Sequence, residues 1–414
     1  MQYLEKVGAA GGTPSVLFLI RNGAAVILIA DYVYALTFNY LPDGPRLAFA
    51  GGVFVLSTAM AVIAYIHRPS NTSNLIVLSM IVICACWGLS YATGYGGGGQ
   101  GYTFQSAAKF LGVYMLALWA FAYPEALPRR LIAFLAVATL IGGGGYAIFA
   151  PRVNLGGEEY FAYLTGVPQS YGALALAGKI SVFVGARHSS ALFILLNVLL
   201  VDQLRRLRVL PPIFAWLLVA LGAYVITGYW SRNTMLDVAV YFLGVFYYDS
   251  RIKNVMAPTY FLLFGLLLVA ALAAISFVST YELYYWGSGR VGTYVHRVDL
   301  LAQRDLGSLL VGTGLGSDWF RSYTWLSTEK NAHNLYLSDF IEIGLIGILG
   351  HFILLAVIYL NLPKGRAKSF FYMIVSSGLI SHGFIADSQF RSMLFAAMAL
   401  AIVSYREETR GTLR

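Results

Sequence analysis

Four arginines set the chemical theme of this chain. Arg187, Arg232, Arg290 and Arg297 stand near the ends of apolar runs, on the side where basic residues are otherwise scarce. Arg290 and Arg297 are seven apart, so in a helix they share a face two turns apart. A guanidinium is planar, permanently charged and grips phosphate oxygens through two parallel hydrogen bonds. Several of them converging at a membrane–water boundary suit a pyrophosphate headgroup. The competing explanation for any single one is snorkelling to the interface or pairing with a loop carboxylate.

A second group is Asn331-Ala-His-Asn334, followed by Leu-Tyr-Leu-Ser-Asp339 and Glu342. Histidine accepts a proton near neutral pH, so His333 is a candidate general base, with Glu329 as the alternative. The competing role for His333 is a structural hydrogen bond across its loop. Asn334 is expected to cap the helix that follows, which puts the pair near the outer membrane plane. Asp339 and Glu342 are three apart and share a face, available to orient the imidazole or balance an arginine. Between these groups lies Gly312-Thr-Gly-Leu-Gly316, with Arg304 just before it. No strand–helix unit surrounds these glycines, so a nucleotide loop is excluded; Gly314 instead suits a tight turn near a ligand. His351 and His382 are expected to make polar contacts between helices. Cys84 and Cys86 sit together in one apolar run, which provides neither a disulfide framework nor metal-ligand spacing. The residues thus call for no metal and no cofactor.

The elements that hold these residues are membrane helices. Of 414 residues, 58% are hydrophobic and only 11% charged, whereas a soluble domain carries about 25% charged residues. The net charge of +9 does not imply nucleic acid, because the basic residues lie in short loops between apolar runs. A spanning helix needs about 20 apolar residues. Such runs fall at 22–41, 46–66, 73–93, 105–124, 131–150, 178–204, 211–229, 234–249, 257–279, 335–361, 370–387 and 391–405. The run 335–361 is long enough to tilt or break. Every second connection is basic, from Arg68 through Arg129-Arg130, Arg205-Arg206, Arg251 and Lys364 to the tail. By the positive-inside rule both termini are cytoplasmic. The expectation is an all-α polytopic protein, one transmembrane domain over 1–414, with about twelve helices and a long periplasmic loop at 280–334.

Ser231-Arg232, Gly289-Arg290, Gly312-Thr-Gly-Leu-Gly316, His333-Asn334-Leu-Tyr-Leu and Glu342-Ile-Gly-Leu-Ile-Gly347 occur in that order. With the twelve-run layout, this resembles the O-antigen ligase and polymerase family of bacterial inner-membrane glycosyltransferases. The motif part covers roughly 185–350, and the N-terminal half is similar only in hydropathy. Arg297 competes with Arg290 for one family position. The resemblance implies metal-independent glycan transfer on the periplasmic face of the inner membrane. The donor would be a glycan on undecaprenyl pyrophosphate, and the acceptor a second glycan or lipid A-core. His333, Arg232 and Arg290 would be catalytic. Arg187, Arg297, Arg304, Asn334, Gly314 and Glu342 would bind substrate. Membrane lipids surround such a protein, and a chain-length regulator or flippase is the implied protein partner. A polymerase is the preferred reading over a ligase. A flippase for lipid-linked oligosaccharide is the rival of another class, which the lack of an internal repeat disfavours.

Overall fold

The computed structural model describes residues 14–37, 43–93, 103–149, 152–155, 158–161, 187–228, 232–249, 297–314, 334–380 and 390–411. The first five helices are α1 (Pro14–Thr37), α2 (Asp43–His67), α3 (Asn71–Ala92), α4 (Thr103–Ala122) and α5 (Arg129–Phe149). Then come α6 (Arg187–Arg206), α7 (Pro212–Gly228), α8 (Arg232–Asp249) and the short α9 (Leu306–Val311). The last are α10 (Leu335–Asn361), α11 (Ser369–Ile380) and α12 (Arg391–Gly411). One of these helices lies on each apolar run except 257–279, which is outside the described residues. One small departure from an all-helical chain is an antiparallel hairpin, β1 (Arg152–Leu155) with β2 (Glu158–Phe161), pairing Arg152 with Phe161. The residues between its strands are Gly156 and Gly157, the type that a two-residue hairpin connection requires.

Local chemistry explains where helices start and stop. The Ser70 hydroxyl accepts from Ser73 N at 3.0 Å and caps α3. Proline opens α7 at Pro212, where its missing N–H is of no consequence, and Pro363 follows the end of α10. Four stretches are long and apolar enough to cross a bilayer: Ser15–Ala35, Ala48–His67, Asn71–Ala92 and Leu335–Asn361. The chain is therefore a helical membrane protein. Its outer helices turn Phe18, Val55, Leu78, Ile213 and Leu217 outward, as lipid contact demands. Two helices form the centre. In α12 every residue from 391 to 404 is buried, and α6 is buried almost throughout 190–204. A helix that is apolar all round belongs inside a bundle.

Ion pairs gather the basic connections at one end of the bundle. Arg68 lies 2.6 Å from Glu125, whose second oxygen is 3.9 Å from Arg406. Arg129 meets Glu407 at 2.9 Å. Arg366 bonds Glu408 and lies 3.6 Å from Asp249. Exposed pairs of this kind contribute little stability each, typically about 0–1 kcal/mol. Their value here is positional: the ends of α2, α8 and α12 and the starts of α5 and α11 all meet at one level. Lys368 turns inward at this end, donating to Tyr359 O with its ammonium 3.5 Å from the Tyr359 ring centre. Burial pulls its pKa below the ordinary lysine value.

Candidate functional site at a broken helix

The long apolar run 335–361 does break. Asn334 caps α10 as expected, its Oδ1 accepting from Leu337 N at 3.0 Å. Helical geometry then fails at Gly344, where φ is 68° and ψ is −172°. The half before the break folds back along the half after it. Asp339 Oδ2 comes within 2.9 Å of His351 Nδ1, and the Tyr336 ring stacks on Phe352 at 6.0 Å.

A turn from the preceding loop closes the break. Asp305 caps α9 by accepting from Ser308 N at 2.9 Å, and α9 ends at Gly312, with φ at 78°. Thr313 N then donates to Ile341 O at 3.0 Å, and Gly314 N to Glu342 O at 2.9 Å. The Thr313 hydroxyl donates to Ile341 O at 3.1 Å. Arg304 reaches the same carbonyl at 3.0 Å and the Thr313 hydroxyl at 3.2 Å. From α3, the Ser90 hydroxyl donates to Gly312 O at 3.1 Å. Backbone freed inside a membrane protein must find partners within the protein, and this turn supplies them. Both glycines are needed where the backbones approach. A Cβ on Gly312 would strike the Glu342 carbonyl, and one on Gly344 would strike Leu310 O and Gly312 N.

The height of each part follows from about 1.5 Å of rise per helical residue. Ser90 is 19 residues beyond Asn71 at the start of α3, so the turn lies about 28 Å from the basic end. Asn334 Nδ2 donates to Leu379 O at 2.9 Å and Tyr336 OH to Val375 O at 3.3 Å. Leu379 is ten residues beyond Ser369, about 15 Å above the basic end. Asn334 is thus about halfway along the bundle, not at the outer plane as expected. The reason is the fold-back, which carries the start of α10 down into the bundle.

The expected site residues separate into three groups. Arg187 opens α6 and Arg232 opens α8, and both helices end at the basic level, so both positions stand at the far end. Their side chains, and the whole of Arg290 and His333, lie outside the described residues. Arg297 is fully buried at the start of a helical stretch, 297–302. Arg304, Gly314 and Glu342 meet at the break. There Arg304 donates to the Ile341 carbonyl and the Thr313 hydroxyl, and Glu342 is half-buried with its carbonyl accepting from Gly314 N. Asn334 spends both ends of its amide on structure. Asp339 faces His351 across the break within α10. His382 lies outside the described residues. Sequence reasoning missed the Asp339–His351 contact and the Arg304 brace. The available signal was the glycine pair Gly312 and Gly344, each of which needs positive φ. Among the described residues no three of His, Cys, Asp and Glu converge as metal ligands do.

The site belongs to a helical membrane protein with a re-entrant half-helix, closed by a glycine turn at the end away from the basic connections. No protein-family model matches this chain, and no curated protein matches it.

Proposed function

We propose that this chain is a twelve-span glycosyltransferase of the bacterial inner membrane. It moves a glycan from undecaprenyl pyrophosphate to an acceptor hydroxyl on the periplasmic face, as a surface-polysaccharide polymerase. One observation carries the reading: two motif pieces remote in sequence meet at one place, braced by Arg304. Gly312–Gly314, the Glu342–Gly344 break and Arg304 assemble into a single closed unit, which continues into the half-helix capped by Asn334. The unit lies at the end opposite the basic connections, and the positive-inside rule makes that end periplasmic.

In the proposed reaction the acceptor O–H gives its proton to His333. The acceptor oxygen bonds the anomeric carbon of the donor sugar. The bond from that carbon to the pyrophosphate oxygen breaks, and its electron pair leaves with undecaprenyl pyrophosphate. Arg232 and Arg290 hold the pyrophosphate, with Arg187 and Arg297 supporting. Fixed cations aimed at developing charge need no reorganisation during the step. Surface polysaccharide from a deletion strain tests the reading. Single repeats still attached but no long chains mean polymerase. Loss of all attachment means a ligase acting on lipid A-core, and normal polysaccharide overturns both.

A further inference from the structure

The basic end of the bundle carries a second feature, an open cleft of about 690 Å³. It lies where α1 passes the connection between α4 and α5, and is lined by Arg21, Glu125, Leu127, Arg129, Arg130 and Val209. Sites for small organic molecules run to roughly 300–1,000 Å³, so there is room for a headgroup. Arg21 and Arg130 are exposed, and neither side chain has an ion-pair or hydrogen-bond partner among the described residues. The carboxylates nearby are committed to other arginines. Glu125 lies 2.6 Å from Arg68 and 3.9 Å from Arg406, and Glu407 lies 2.9 Å from Arg129. Arginines 21, 68, 129, 130 and 406 thus stand against two carboxylates, and the cleft is positive.

An exposed apolar stripe runs from each unpaired arginine toward the middle of the membrane. Arg130, Phe134 and Ile141 fall on one face of α5, at i, i+4 and i+11, and both apolar side chains are exposed. On α1, Val26 and Ile29 are exposed beyond Arg21 in the same direction. A soluble anion would use the cations alone. A phospholipid uses both features, with its phosphate on the guanidinium groups and its chains along the stripes.

We infer that this cleft seats the headgroup of an anionic phospholipid, its phosphate oxygens gripped by Arg21 and Arg130. Each guanidinium offers two parallel donors to such oxygens. Basic pockets between helices on the cytoplasmic side are suited to headgroups of this kind. The site is independent of glycan transfer, and bound lipid would tie α1 to the start of α5.

Thermal melting of the purified full-length protein in uncharged detergent tests the site. Phosphatidylglycerol is titrated against phosphatidylcholine at constant total lipid, and inorganic phosphate against chloride at matched ionic strength. Phosphatidylglycerol should raise Tm saturably, and inorganic phosphate should not reproduce the rise. Arg21→Ala and Arg130→Ala replace exposed helical residues with the best helix former, so the fold should survive both. Each should raise the half-saturating phosphatidylglycerol concentration roughly fivefold, the equivalent of about 1 kcal/mol. Lys364→Ala removes an exposed cation outside the cleft and should leave that concentration unchanged. No rise with phosphatidylglycerol overturns the inference. An equal shift in Lys364→Ala also overturns it, because the attraction would then be diffuse. The same rise with inorganic phosphate would make the ligand a soluble anion and overturn the lipid assignment.

Discussion

Asp339 and His351 belong to the same helix, twelve residues apart, yet their side chains meet at 2.9 Å. In a straight helix they would stand about 18 Å apart. Both are buried, the histidine completely. The contact exists because Gly344 folds the first nine residues of α10 back on the rest. It is a latch on a re-entrant half-helix, and several consequences can be measured.

Removing one side of the latch should loosen the half-helix. Asp339→Ala should lower stability by about 1–3 kcal/mol, the usual penalty when a buried polar group loses its partner. Because the two residues touch, Asp339→Ala with His351→Ala should destabilise by less than the sum of the single changes. Strict additivity in thermal melts would mean that the contact holds nothing.

The two glycines of the break should tolerate no side chain. Gly312→Ala and Gly344→Ala each force an L-residue into positive φ, which alone costs about 1–3 kcal/mol, and each adds a backbone clash. Gly142, where nothing stands within 4 Å of an added Cβ, is the control. Gly142→Ala should melt as wild type or slightly higher, while the other two fall well below it. Equal melting of all three would refute the close approach.

Topology can be read by chemical labelling after Cys84 and Cys86 are replaced by serine. A cysteine at Gly97 or Ser327 should react with an impermeant reagent from the periplasmic side, and one at Leu207 or Lys364 should not. The reverse pattern would move the broken helix to the cytoplasmic face and end the proposed reaction.

Catalysis tests His333 and the arginines separately. General base catalysis contributes roughly 10²–10⁴-fold, so His333→Ala should lose activity on that scale while donor binding survives. Arg232→Lys and Arg290→Lys keep charge but lose the fork, and should lose most activity at normal membrane levels. Chelators should leave transfer unchanged. Turnover near wild type in His333→Ala would shift the role of base to Glu329.

The helices themselves were legible in the amino-acid order. Apolar runs of spanning length mark nearly every helix described, and the cap at Asn334 could be read from its residue type and place. So could the alternation of basic connections, whose side chains now meet in ion pairs at one end. These features are local, because burial in lipid and satisfaction of a helix end depend on residues within a few turns. The break at Gly344 was only half legible. The run 335–361 was too long for one straight span, but hydropathy does not distinguish a tilted helix from a folded one. What decided it is the approach of a second backbone, Gly312–Gly314, from a different part of the chain. That approach sets Arg304 against Ile341 O, and the fold-back brings Asp339 to His351. It also draws Asn334 from the expected rim to mid-bundle. Such relationships depend on which carbonyls are left open by a break and which donors lie within about 3 Å of them. Only the packed bundle sets those distances.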